Sequence, residues 1–182
     1  FFVIAPIWVS ASDFSVGVAH YERRDYARAL AAFTLAAEDG NADAQYNLGY
    51  MYLNEQGVRR DYAKALTWFS LSAEQGNARA QVNVGRIYAK GLGVRPDYSV
   101  AGKWYYKAAE QGFQDAQYFL GMMSMSGVGA KLNYGRAKEW FLLAANQGNA
   151  SAQYKLGVMH YKGLGQAANY AEAYKWFALA GE

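Results

Sequence analysis

Cysteine is absent from the 182 residues, which excludes disulfide frameworks, thiolate zinc sites and thiol nucleophiles. Histidine is nearly as scarce, leaving His20 and His160 as the two imidazoles that can serve as a base or a ligand. Proline occurs twice, so the 19 glycines belong to neither a collagen-like nor a Pro-rich chain. Charged residues make up 18% of the sequence against 53% hydrophobic, the opposite of a disordered polar tail. The net charge of +3 is scattered rather than clustered, which argues against nucleic-acid binding. The surplus is aromatic: 16 Tyr, 9 Phe and 5 Trp.

Phe1 to Val9, FFVIAPIWV, is largely apolar but far short of the roughly 20 residues a bilayer span needs. It suits the apolar region of a secretory signal, and Val9-Ser10-Ala11 offers a cleavage site after Ala11. Residues 1–11 are therefore expected to be a signal-peptide remnant. The mature protein is expected to be periplasmic or secreted, with no integral membrane span. The competing reading is a greasy extension packed on the first helix.

The rest of the chain is periodic. Asp25-Tyr26, Asp61-Tyr62, Asp97-Tyr98, Asn133-Tyr134 and Asn169-Tyr170 recur at a constant step of 36 residues. The same step carries Gln45 to Gln81, Gln117 and Gln153, Gly49 to Gly85, Gly121 and Gly157, and Trp68 to Trp104, Trp140 and Trp176. Within each unit two segments read as helices. Asp61 to Gln75 places Tyr62, Ala65, Leu66, Phe69, Ser72 and Ala73 on one stripe, with Asp61 as N-cap and Gly76 at the C′ position. Ala78 to Lys90 sets Gln81, Val84, Gly85 and Tyr88 on one side, its glycine allowing close approach to the neighbouring helix. Asn41, Asn77 and Asn149 cap this second type, and Phe113 stands where the cap is missing. Neither helix can bury its stripe alone, so successive units must stack into an all-α solenoid of about five helix pairs.

The stretch AQYNLGYMYLNEQGVRRDYAKALTWFSLSAEQGN resembles the SEL-1-like repeat, a relative of the tetratricopeptide repeat. Near-complete copies cover residues 41–182, the last expected to be truncated, and a degenerate, tetratricopeptide-like pair covers 12–40. The resemblance implies a right-handed superhelix whose concave face binds proteins or peptides, with bacterial members often exported as adaptors. One cysteine-rich branch is linked to penicillin binding. This chain has neither those cysteines nor a Ser-x-x-Lys motif, so that link does not transfer. Departures from the pattern include Ala32-Phe33 for Trp-aromatic, Ser124 for Tyr, and Ala130 and Gln166 for Val, read here as weakening individual units.

By analogy with related repeats, the first helix of each pair lines the concave face. The exposed inner positions are then Tyr46, Tyr50 and Leu53; Val82, Arg86 and Ala89; Tyr118, Met122 and Met125; Tyr154, Val158 and Tyr161; with Phe14, Val18 and Tyr21 from the first pair. Tyr, Met and Arg are the types enriched at protein interfaces. Recurrence of Tyr46, Tyr118 and Tyr154 favours a packing role, whereas Tyr50, Arg86 and Met122 differ between units and are the better specificity candidates. The Trp series and the aromatic beside it are expected to be core. Gly91-Leu92-Gly93 and its sisters join two helices, so they read as turns rather than phosphate loops. His20 and His160 are read as packing residues. No nucleophile–base pair, metal cluster or cofactor motif is present. The expectation is a non-enzymatic adaptor for a protein or peptide. A structural part of a larger envelope assembly and, further off, a cell-wall-acting hydrolase are the alternatives.

Overall fold

Short polar side chains at the 36-residue step open one helix in every repeat. The computed structural model describes residues 12–181, which form ten helices. They are α1 (Ser12–Glu22), α2 (Tyr26–Glu38), α3 (Ala42–Asn54), α4 (Tyr62–Glu74), α5 (Ala78–Lys90), α6 (Tyr98–Glu110), α7 (Gln114–Ser126), α8 (Tyr134–Ala145), α9 (Ala150–Lys162) and α10 (Tyr170–Ala180). Asp61 and Asp97 accept from the backbone N–H of Lys64 and Val100 at 2.9 Å, and Asn133 and Asn169 do the same for Arg136 and Glu172. The Asp25 bond to Arg28 is longer, at 3.4 Å. Asn41, Asn77 and Asn149 cap α3, α5 and α9. At α7 Phe113 supplies no side-chain cap, as its chemistry requires. The signal-peptide segment, residues 1–11, lies outside the described residues.

The described residues divide into two compact units, up to Ala80 and from Gln81 on, with the division inside α5. The first unit holds its core between α2 and α3, where Ala29, Phe33, Ala36, Ala44, Leu48 and Met51 are buried. In the second unit Ala137, Phe141, Ala144, Ala152, Leu156 and Met159 form the corresponding cluster between α8 and α9. Helices of 11 to 13 residues are marginal alone in water, so each depends on what it packs against.

What they pack against is set by one glycine and one ring. A Cβ built at Gly17, Gly49, Gly85, Gly121 or Gly157 would lie 2.5 to 2.7 Å from the ring of Phe33, Phe69, Tyr105, Phe141 or Phe177 respectively. The ring thus rests directly on the backbone of the preceding helix. Phe33, Phe69 and Phe141 are at most 1% exposed, and Tyr105 is 3% exposed. Burying such a ring stabilises by about 1.5–3 kcal/mol, more than the roughly 1 kcal/mol that a mid-helix glycine costs. This corrects the sequence expectation for the tryptophans. Trp68, Trp104, Trp140 and Trp176 are half-buried flankers, and the aromatic one residue later is the core residue. It also explains why Ala32-Phe33 is no defect: the first pair keeps the ring that matters.

A glutamine relay links helix ends. Gln45 Nε2 donates to the Ala37 carbonyl, while its Oε1 accepts from Gln75 Nε2 at 2.8 Å. In the second unit Gln117 and Gln153 donate to the Ala109 and Ala145 carbonyls, and Gln81 and Gln117 accept from Gln111 and Gln147 at 2.9 Å. Gln45, Gln81, Gln117 and Gln153 are at most 8% exposed, so each needs these partners.

Two substitutions test this packing. Gly49→Ala gains helix propensity but drives a Cβ into the fully buried Phe69 ring, and is expected to cost about 1–2 kcal/mol net in denaturant unfolding. Glu55 holds φ +61 where Gly91, Gly127 and Gly163 stand in later repeats at +66, +73 and +67. Its ion pair to Arg60 is exposed and weak. Glu55→Gly should therefore raise stability by roughly 0.5–1 kcal/mol, read as an upward shift of the melting temperature.

Candidate functional site

Val82 holds the helix position that Tyr46, Tyr118 and Tyr154 hold in the other copies. In those copies the tyrosine ring lies 5.8, 5.9 and 5.4 Å from Phe69, Phe141 and Phe177, over the ring that rests on the glycine. Val82 is too short for that role and is itself buried, at 5% exposure, rather than presented outward as the sequence predicts. Tyr105 is covered from another direction: Phe119 of α7 stacks on it at 4.8 Å and 20°. Phe119 occupies the position of Asn47, Asn83 and Lys155 in the other repeats.

Beside this stack is a cleft of about 400 Å³ lined by Arg86, Ala89 and Lys90 of α5, Tyr98 and Tyr105 of α6, Phe119, Met122, Met123 and Ser126 of α7, and Val128. Its floor is aromatic and thioether. Two of its lining residues are cationic and none is a carboxylate. Arg86 is exposed at its edge and Met122 is half-buried. Burial pushes the Tyr105 phenol well above its usual range, with the Arg86 charge acting in the opposite sense, so Tyr105 stays a neutral hydroxyl at any physiological pH. The cleft can pair an apolar group with a negative charge or a carbonyl oxygen.

The other predicted residues fall into smaller groups. In the first unit Tyr46 and Tyr50 have ring centroids 6.3 Å apart, Tyr50 being the more exposed. Tyr21, from the first pair, donates to Gln56 Oε1 at 2.8 Å. In the second unit Tyr118 and Tyr154 share a hollow of about 330 Å³, and Tyr154 and Tyr161 another of about 460 Å³. Tyr154 and Tyr161 are more than half exposed, whereas Tyr118, Met122 and Met125 lean on the core around Phe141. Arg86 and Met122 are thus brought to one cleft. Phe119, Tyr98 and Lys90 were missed in the sequence. The available signal was an aromatic at a position that is polar in three other repeats.

The two histidines are occupied structurally. His20 Nδ1 is 3.5 Å from the Asp25 carboxylate. His160 is 9% exposed; Gln166 Nε2 sits 2.6 Å from its Nδ1, and Lys138 Nζ donates to Gln166 Oε1 at 2.6 Å. Because Gln166 Oε1 accepts from the Lys138 ammonium, its amide N–H is left to donate to an unprotonated Nδ1, an arrangement that favours the neutral ring. Burial, and then the Lys138 charge, lowers the His160 pKa, with Glu172 opposing. Among the described residues no group of three or more His, Asp or Glu side chains could hold a metal ion. No helix among them is long and apolar enough to cross a membrane.

The sequence profile of the Sel1 repeat matches residues 16–41, 42–77, 78–113, 114–149 and 150–182. No curated relative matches the chain. Among solved structures, a protective antigen present in uropathogenic Escherichia coli strains, displaying an SLR fold, is 33% identical with a TM-score of 0.88 over 94% of this chain. This chain spans only 38% of that protein's length. A Sel1 repeat protein from Oxalobacter formigenes is 31% identical with a TM-score of 0.88, matching 94% of this chain and 68% of its own. The expected all-α solenoid fold is thereby established.

A depressed His160 pKa has a defined stability signature. The unfolded chain binds the proton first as pH falls, so stability is intact above about pH 6.5 and is lost as pH drops toward the lower folded value. The melting temperature should therefore fall between about pH 7.5 and about pH 5.5. His160→Tyr, which follows Tyr52 and Tyr88, should flatten that dependence.

Proposed function

Because the chain belongs to the Sel1 repeat family, whose members generally act as non-catalytic protein-interaction scaffolds, we propose that it is an adaptor gripping a peptide segment of a partner protein at the Arg86–Met122 cleft. The carrying observation is the juxtaposition of two cations with an aromatic and thioether floor in one cleft of about 400 Å³. Such a site fits an aliphatic or aromatic side chain flanked by Asp, Glu or a terminal carboxylate. Arg presents a planar fork that a carboxylate meets with two hydrogen bonds, and Met adapts to irregular apolar shapes. Tyr46 and Tyr50 in the first unit, and Tyr118, Met125, Tyr154 and Tyr161 in the second, are the further contacts in this reading. Tyrosine offers large contact area at low entropy cost.

Export to the periplasm or beyond is part of the same proposal, supported by the apolar run and small residues of 1–11. The Escherichia coli relative is described as a protective antigen, which accords with that placement. The division into a degenerate pair at 12–40 and Sel1 repeats at 41–182 is also proposed, although the Sel1 profile extends into the first pair from residue 16.

Selection of displayed random peptides on the intact chain tests the reading. Enriched peptides should carry an acidic group next to a large apolar one. Arg86→Glu should weaken them about tenfold or more, and Met122→Ala several-fold, with unchanged melting curves. Enrichment of the same peptides on the Arg86→Glu protein would reject the cleft.

A further inference from the structure

Five departures from the repeat converge on one place in the second unit. Gly102 stands where the other copies have Leu30, Leu66, Lys138 and Tyr174. Ser124 replaces Tyr52, Tyr88 and His160, and Ala130 replaces Val58, Val94 and Gln166. Tyr106 replaces Thr34, Ser70, Leu142 and Ala178, and Lys107 replaces Leu35, Leu71, Leu143 and Leu179. These residues lie on α6, on α7 and in the loop after α7, yet all five line a single cleft of about 630 Å³.

The corresponding space is filled elsewhere. In the first unit Leu30 and Val58 pack on the core, and Lys64 sits over the Tyr52 ring at 5.3 Å. Across the last two repeats Lys138, Gln166 and His160 fill it with a hydrogen-bonded chain. At Gly102, Ser124 and Ala130 all three plugs are cut back together. One truncation alone would be unremarkable, since a neighbour could relax into the gap. Three at mutually facing positions leave a space of ligand size, within the roughly 300–1,000 Å³ typical of small-molecule sites.

The substituents that remain give the space a character. Tyr106 and Trp140 form an aromatic wall, edge to face at 6.2 Å and 86°. Leu120 and Met123 supply apolar surface at most 9% exposed. Lys103, Lys107 and Arg136 line the cleft against a single acid, Glu110. Lys107 is held over the Trp104 ring at 4.4 Å, and none of the ion pairs among the described residues engages Lys103 or Arg136.

We propose that this cleft, formed chiefly by α6, α7 and α8, is a binding site for a small organic anion with an aromatic body, its ring against Tyr106 and Trp140 and its carboxylate met by Lys103 and Arg136. The site is separate in its lining from the Arg86 cleft, with which it shares only Met123. It therefore stands whether or not a peptide binds there.

The probe is naphthalene-2-carboxylate, with the neutral naphthalene-2-carboxamide as control, titrated into the isotope-labelled full chain. The Trp140 indole N–H resonance is the readout. The carboxylate is expected to shift it saturably and to bind about tenfold more tightly than the amide. The double variant Gly102→Leu with Ser124→Tyr restores residues that the repeat itself uses. It should abolish the shift while the melting temperature holds or rises. Lys103→Gln with Arg136→Gln leaves the interior untouched, and should bring carboxylate and amide to within about twofold of each other. Equal affinity for the two probes in the parent chain overturns the proposal. So does a Trp140 shift that survives in the filled variant, or a carboxylate preference that survives loss of both cations.

Discussion

The contact between a helical glycine and the aromatic ring of the following helix is the constraint on which the rest of the structure depends. A Cβ would come within 2.5 to 2.7 Å of that ring at all five glycines, so the separation of the two helices of a pair is fixed by the absence of a side chain. Small residues extend the close approach. Ala29, Ala65, Ala101, Ala137 and Ala173 sit at one position of the second helices and Ala44, Ala80, Ala116 and Ala152 at one position of the first, all at most 2% exposed. Alanine contributes little hydrophobic area by itself. Its role is to let backbones approach until the Phe ring and the neighbouring Leu or Met are sealed from water, which is where the burial energy lies.

Close approach brings backbone ends together as well, and there the structure uses hydrogen bonds. The last carbonyls of a helix have no partner within it. Gln45, Gln117 and Gln153 reach the carbonyls of Ala37, Ala109 and Ala145, and for Gln45 and Gln117 the C-terminal glutamine of the next helix closes the relay. An apolar residue in these places would bury as much area but lose both bonds, the Ala37, Ala109 and Ala145 carbonyls keeping the backbone N–H of Gly40, Gly112 and Gly148. The recurrence of glutamine at one place in four repeats is thus a consequence of the packing distance that the glycine sets.

Those features were legible in the sequence because they are local or strictly periodic. Asp61, Asp97, Asn133 and Asn169 cap as their position predicts, and Gly40, Gly76, Gly112 and Gly148 adopt positive φ where each helix must stop. The stripe through Tyr62, Ala65, Leu66, Phe69, Ser72 and Ala73 already picks Phe69 as the buried ring. Trp68 recurs at the same step but lies 100° round the helix, so reading the Trp series as core went beyond that stripe. Val82 was misplaced for a related reason. Its outward position assumes a tyrosine-like reach, and its short side chain is buried at 5% exposure instead. The clefts were the least legible, because each is bounded by side chains from three helices separated by dozens of residues.

Periodicity nevertheless makes those clefts interpretable. In a repeat each position carries its own control: the same backbone with another side chain in the next copy. The glycine and the ring of that axis are Gly and Phe or Tyr in every copy, since a change there would move two helices. The columns farther out range from Leu to Lys to Gly at the place of Gly102, and from Tyr to His to Ser at that of Ser124. The fold tolerates this because neither column sets a helix–helix distance. Ser124 and Ala130 belong to these outer columns. They sit where side-chain volume is free to vary, and in that zone a repeat scaffold can carve a site without altering the contacts that hold it together.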